Sequence, residues 1–327
     1  MTFRSIRQCV SVAVIAVAAG SVSPAAAADK YPTRPIELIV PFGAGGAVDL
    51  TARAMSSVAV QHLGQPFVVT MKPGGSGVIG ASLAARAKPD GYTLMLGGTT
   101  PVTVAPQIEN AGYNHESFVA VAHINQLPSV VAVKADKPWK TLQELLGQIK
   151  SDPSNVVYGT SSISGVTNLG NHMLLRSAGI TAPLTTVPYK SVGEHVLSVL
   201  RGETDYMVQL TPGMMPHVQS GQIRILAVLA DKRFPLLPDV PTAKELGYDV
   251  VSVNWIGVLA PKGTPADIVT ELSAIIGKMM ADPAYVAMAA KTDIPPLYMP
   301  APEFQRFLDA EYKKYGELIE RVGLRKK

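Results

Sequence analysis

Short apolar runs rich in β-branched residues alternate along the chain with longer stretches whose apolar positions recur at helical spacing. Ile36–Val40 is such a run and reads as a buried parallel strand. Pro41, which has no amide to donate, ends it. Gly43, Gly45 and Gly46 then allow a sharp turn, and Leu50, Ala54 and Val58 share one face of a helix over 49–61. The unit recurs as a strand over 67–70, the loop Lys72-Pro73-Gly74-Gly75-Ser76-Gly77, a helix over 78–87 and a strand over 93–96. Apolar runs over 118–124 and 129–133 predict two further strands that leave this set.

A second series follows. Thr141 caps a helix over 141–150, the strand 156–158 runs into a polar loop over 160–165, and a helix over 166–177 stops at Gly179. Val187-Pro188-Tyr189, a helix over 192–200, a strand over 206–210, a helix over 213–219 and a strand over 223–229 continue the alternation. Pro235, Pro238 and Pro241 make 234–242 an extended connector. Beyond a strand over 256–260, Thr264-Pro265-Ala266-Asp267 offers a cap, a proline at the first helical position and an early acid. Helices over 265–280 and 302–321 close the chain. Strand and helix alternation at this spacing predicts an α/β fold with mostly parallel sheets.

The 327 residues suffice for two cores, and the 17% charged share lies below the usual one of about 25%. Arg4 and Arg7 precede an apolar run from Cys9 to Ala19, and Ala26-Ala27-Ala28 precedes Asp29. This pattern predicts a secretory signal peptide over residues 1–28, cleaved after about Ala28, because the run is too short to span a bilayer. The net charge of +4 then falls to +2, which argues against nucleic acid as a partner. Cys9 is the only cysteine, so the exported part holds neither a disulfide nor a thiolate ligand.

Several small, polar loops stand at strand ends where they could converge on one crevice. Candidate ligand contacts are the backbone amides of Gly43, Ala44, Gly45, Gly46 and Ala47, those of Ser76 and Gly77, and the hydroxyls of Thr99, Thr100, Thr160 and Ser161. Donors of this kind at a helix N-terminus suit a carboxylate. Phe42 either lies against the ligand's carbon skeleton or packs behind the turn. Asp49 reads first as a helix cap and second as a direct contact.

Enzyme chemistries fit less well. Gly75-Ser76-Gly77-Val78-Ile79-Gly80 matches G-x-G-x-x-G, but the acid expected about 20 residues on is missing. No G-x-S-x-G and no H-E-x-x-H occurs, and the six histidines are scattered. No cofactor and no metal is expected.

These residues carry a resemblance to the solute receptors of the tripartite tricarboxylate transporter family, the Bug proteins. Its parts are Pro41 to Asp49 with Ala52-Arg53, Lys72 to Gly80, Pro188-Tyr189-Lys190, Gly202 to Asp205, Leu237 to Thr242 and Trp255 to Gly257 with Ala260 to Pro265. The resemblance implies a two-lobed, hinged periplasmic binding protein of Venus-flytrap type, each lobe a mostly parallel sheet flanked by helices, with a cleft between. One lobe would comprise 29–131 with 252–327 and the other 132–251, the chain crossing near Val131 and Ser252. It implies a monomeric, non-catalytic receptor that takes a small organic acid to a membrane permease of one large and one small subunit. It assigns the carboxylate to Phe42 through Ala47 and the ligand's far end to Gly159 through Gly165, with Thr160 and Ser161, and to Asn168. A secreted enzyme acting on a small acid, or a periplasmic sensor of one, are the alternatives. Ala44, Asn168, Ser191, Glu194 and His195 depart from the family's usual pattern, mostly where ligand choice would be decided.

Overall fold

A computed structural model describes residues 31–324; the signal peptide expected over residues 1–28 lies outside them. Strand β1 (Ile36–Val40) has two parallel partners, β2 (Phe67–Met71) and β3 (Thr93–Gly98). Parallel neighbours need a crossover, and α1 (Ala47–Leu63) and α2 (Val78–Ala85) supply one each. A π-helical turn over Thr100–Val104 and α3 (Ala105–Ile108) lead to β4 (Phe118–Lys134).

The second series comprises α4 (Leu142–Ser151), β5 (Val157–Thr160), α5 (Val166–Ser177), β6 (Thr185–Pro188), α6 (Val192–Arg201), β7 (Tyr206–Leu210), α7 (Met215–Gln219) and β8 (Ile223–Leu229). The chain returns along β9 (Val253–Pro261) and ends in α8 (Ala266–Met280), α9 (Pro283–Lys291), β10 (Pro296–Pro300) and α10 (Ala301–Val322).

Strand β4 is the link between the two strand groups. Up to Pro128 it runs antiparallel to β9, which in turn pairs with β3; from Ser129 onward its partners are β7 and β8. Its 17 residues replace the two separate strands expected over 118–124 and 129–133. Pro128 does not break it, because that residue closes the β9 ladder where the partners change. There Ser129 N–H donates to Ser252 O at 2.8 Å, and the two hydroxyls meet at 3.0 Å. Parallel pairing holds within β1–β3 and within β5–β7, while β4 and β9 are antiparallel to their neighbours, so the whole sheet is mixed.

Each group has its own core. Met95, Phe118, Trp255, Phe304 and Leu308 are buried in the first, and Leu145, Ile149, Tyr158, Leu174 and Tyr206 in the second. A smaller cluster of Val104, Val166, Leu169, Tyr315 and Ile319 joins α10 to α5, with Tyr315 donating to Val253 O at 2.9 Å.

Most element ends agree with the apolar pattern, and the exceptions have local causes. Thr141 caps α4 in a reciprocal capping box with Glu144. Thr264 is not the cap of α8: its hydroxyl donates to Pro261 O at 2.8 Å, and Pro265 is the cap residue. Helix α9 and strand β10 were not anticipated. Pro296, Leu297 and Tyr298 of β10 are exposed along an edge, so that strand carries no buried apolar run to betray it.

Candidate functional site

The turn between β1 and α1 and the turn between β5 and α5 are built alike. Each ends on a glycine in extended conformation at the helix N-cap, Gly46 (φ −86°, ψ 169°) and Gly165 (φ −88°, ψ 159°), and neither cap uses a side chain. In the first turn Gly45 takes φ +84°, a region that costs other residues energy. The buried Asp49 carboxylate holds this turn: it accepts from Gly45 N at 2.9 Å and from Arg53 Nε at 3.0 Å. The amides of Gly43, Ala44, Ala47 and Val48 have no acceptor among the described residues.

These amides border a cavity of about 120 Å³. Phe42, Gly43, Ala44, Gly46, Ala47 and Val48 line one side, and Thr100 and Asn254 lie beside them. The opposite side comes from Ser161, Ser162, Val166 and Thr167 at the start of α5, Lys190, Ser191 and Val192 at the start of α6, and Gln209 and Leu210 at the end of β7. A β-carbon placed on Gly46 would stand 3.9 Å from Val192 Cγ2, so the two sides are in near contact.

The cavity therefore sits against the first turns of α1, α5 and α6. Each helix start carries a partial positive charge from its unpaired amides, worth several tenths of a kcal/mol or more toward an anion. Among the described residues no acidic side chain lines the cavity, and Lys190 is the one cation that does. Nearby carboxylates are engaged elsewhere: Asp49 as above, Glu109 by the Ser164 hydroxyl, and Glu194 by Lys190 N at 3.0 Å. The electrostatics suit an anion and disfavour a cation. Among the described residues no cluster of three His, Cys, Asp or Glu side chains is set to hold a metal.

Of the residues read from the sequence as ligand contacts, Phe42, Gly43, Ala44, Gly46, Ala47, Thr100 and Ser161 line the cavity. The others do not, each for a visible reason. Gly45 N and the Asp49 carboxylate satisfy one another. Gly77 packs beneath the turn, where a β-carbon would lie 3.1 Å from Phe42 Cζ; it sets the position of that ring from behind, with Ser76 at φ 54° beside it. Thr99 is fully buried, its hydroxyl accepting from Trp255 N at 2.9 Å. Thr160 folds onto its own loop at Ser162, and Gly165 N is used by Ser162 O. Gly159 lies against the His195 ring. Asn168 turns back to donate to Ile163 O at 2.6 Å and borders a different depression near the end of α5.

Ser162, inside the loop assigned to the ligand's far end, lines the cavity, as does Ser191, noted in the sequence only as a departure where ligand choice would be decided; the sequence reading missed Val48, Val166, Thr167, Lys190, Val192, Gln209, Leu210 and Asn254 as lining residues. For α6 a signal existed. Ser191 is an N-cap whose hydroxyl accepts from Glu194 N at 3.2 Å, which marks a helix start next to Lys190. Gln209 and Asn254 had none, since β7 and β9 reach the cavity through sheet pairing alone. Thr100, read from the sequence as a ligand contact, also accepts from Val166 N at 3.1 Å and so ties the two sides together.

Behind the α6 side, the buried His195 ring stacks on Tyr189 at 5.5 Å between centroids. Burial pushes its pKa down to about 4, partly offset by the Gly159 backbone. The ring is neutral at neutral pH.

Asp49→Ala is expected to lower stability by about 1–2 kcal/mol, the scale of losing a charge-assisted bond to a buried carboxylate. The Arg53 pair adds little, because that side chain is 60% exposed. Urea denaturation measures this, and an unchanged midpoint would refute the holding role of Asp49.

Two like strand–turn–helix units thus face one cavity whose lining favours an anion, the arrangement of a binding site for a small anionic solute. A profile of the family described as "Tripartite tricarboxylate transporter family receptor" matches residues 51–324. A "UPF0065 protein in gbd 5'region" of Cupriavidus necator is 33% identical over 324 residues, covering 97% of this chain and 96% of the relative. Among solved structures, the periplasmic binding protein BugD is 30% identical with a TM-score of 0.83, covering 91% of this chain and 100% of that one. The R. palustris protein Rpa4515, solved with adipate, is 28% identical with a TM-score of 0.83, covering 90% and 98%. The chain belongs to the tripartite tricarboxylate transporter receptor family. It is a periplasmic solute receptor, and its mixed α/β sheet flanked by helices is the architecture of these relatives.

Proposed function

We propose that this receptor captures a small organic acid by closing two lobes on it, and hands it to a membrane permease of one large and one small subunit. Residues 29–131 with 252–327 form one lobe and 132–251 the other, a division supported by the change of strand partners at Ser129 and the return of the chain beside it at Ser252. The carboxylate accepts from the free amides of the β1–α1 turn, chiefly those of Ala47 and Val48, while the α5 and α6 starts close over it. One observation carries this reading: three helix N-termini meet at a cavity that, among the described residues, no acidic side chain lines. The adipate bound to a relative of the same fold agrees with it.

Binding to the folded state alone raises stability by about 2.7 kcal/mol at a ligand concentration a hundredfold above Kd. Thermal shift on protein stripped by unfolding and refolding, against di- and tricarboxylates, aromatic acids and acidic amino acids, reads this as a rise of several degrees. No rise with any acid would refute the proposal.

A further inference from the structure

We propose that Lys190 determines specificity in this site: its ammonium is the counter-charge for a second acid group on the ligand, so the receptor selects dianions over monoanions of the same length. The inference rests on the organic-acid reading above and deepens it.

The β1–α1 turn offers amides enough for one carboxylate and carries no side-chain cation toward the cavity, since Arg53 is paired with Asp49. A dianion brought into such a site would leave its second charge beside apolar Val166, Val192 and Leu210 unless a counter-charge met it. Lys190 lines the cavity on the side opposite the turn. It immediately precedes the α6 cap, two residues before the Val192 methyl that nearly touches Gly46. Among the described residues its ammonium has no ion pair; Glu194, the carboxylate closest along the chain, is held by the Lys190 backbone amide instead. That bond and the Ser191 cap fix the backbone from which the lysine projects. An unpaired ammonium on a residue that lines the cavity, carried by a braced backbone, can meet a ligand at no loss of an existing pair.

Lys190 is exposed, so the pair is partly screened and its contribution is moderate, on the order of tenfold in affinity. Stripped protein titrated calorimetrically with succinate, glutarate and adipate, and with the monomethyl ester of each, tests this. The wild type is expected to favour the best-fitting diacid over its monoester by about tenfold, with the preference shrinking as salt rises. Lys190→Met, which keeps the length and apolar stem, is expected to lose that preference, its diacid affinity falling about tenfold further than its monoester affinity; Lys190→Arg is expected to retain it. A merely structural role would weaken diacid and monoester alike, and that outcome overturns the proposal. A preference that persists in Lys190→Met, or a wild type indifferent to the second charge, overturns the lysine's role and leaves the organic-acid reading standing. A wild type that binds none of the six, and none of the acids in the broader panel, overturns both.

Discussion

Ala47→Pro should reduce organic-acid affinity about a hundredfold while leaving the melting temperature of the ligand-free protein within a few degrees of wild type. Ala47 is the first residue of α1, where proline's fixed φ suits the helix and its missing N–H is not used within the helix. The preceding Gly46 is extended (φ −86°, ψ 169°), the conformation that proline requires of its neighbour. The substitution therefore deletes one donor at the cavity and little else. A lost charge-assisted hydrogen bond of about 2–3 kcal/mol corresponds to the hundredfold change. Calorimetry with the strongest acid from the panel, paired with a melting curve, measures both. Full affinity in a folded variant would remove the α1 amides from the mechanism.

Acid should destabilise the protein through His195. In the unfolded chain this side chain takes up a proton near pH 6.5, whereas in the fold burial holds its pKa down to about 4. The unfolded state therefore binds more protons in between, and stability falls as pH is lowered from about 6.5 towards 4. Above that window the group has no effect. At about 1.4 kcal/mol per pKa unit, the loss reaches about 3 kcal/mol. Neither ring nitrogen has a hydrogen-bond partner of good geometry, so a proton gained there has little to share it with. His195→Leu should flatten the stability difference between pH 7 and pH 4.5 by about 2–3 kcal/mol in urea titrations, since the remaining histidines titrate alike in both proteins. An unaltered slope would assign the acid sensitivity elsewhere. His195 packs behind Tyr189, next to Lys190, and so the same acid step should loosen the α6 side of the cavity first.

Much was legible from the chain itself because the physics that decided it was local. Periodicity placed β1, α5, β7 and β8 at their observed ends, and Thr141 marked the start of α4. The β1–α1 turn announced itself through Gly43, Gly45 and Gly46, since few other residues allow so tight a turn at so little cost. That turn lines the cavity as its residue types suggested.

Whatever depended on which strands lie side by side was left to the tertiary structure. No local rule says that β4 continues through Pro128 and exchanges β9 for β7 and β8. That exchange is what brings Asn254, Gln209 and the α6 start to the same cavity as Ala47. The hydroxyls of Thr99 and Thr160 looked like ligand donors in sequence, yet in the fold they donate to Val253 O at 3.4 Å and to Ser162 O at 3.2 Å. Residue type sets what a group is able to bond, and only three-dimensional neighbours decide whether that capacity is already taken. For the Ala47 amide, which has no acceptor among the described residues, it is not.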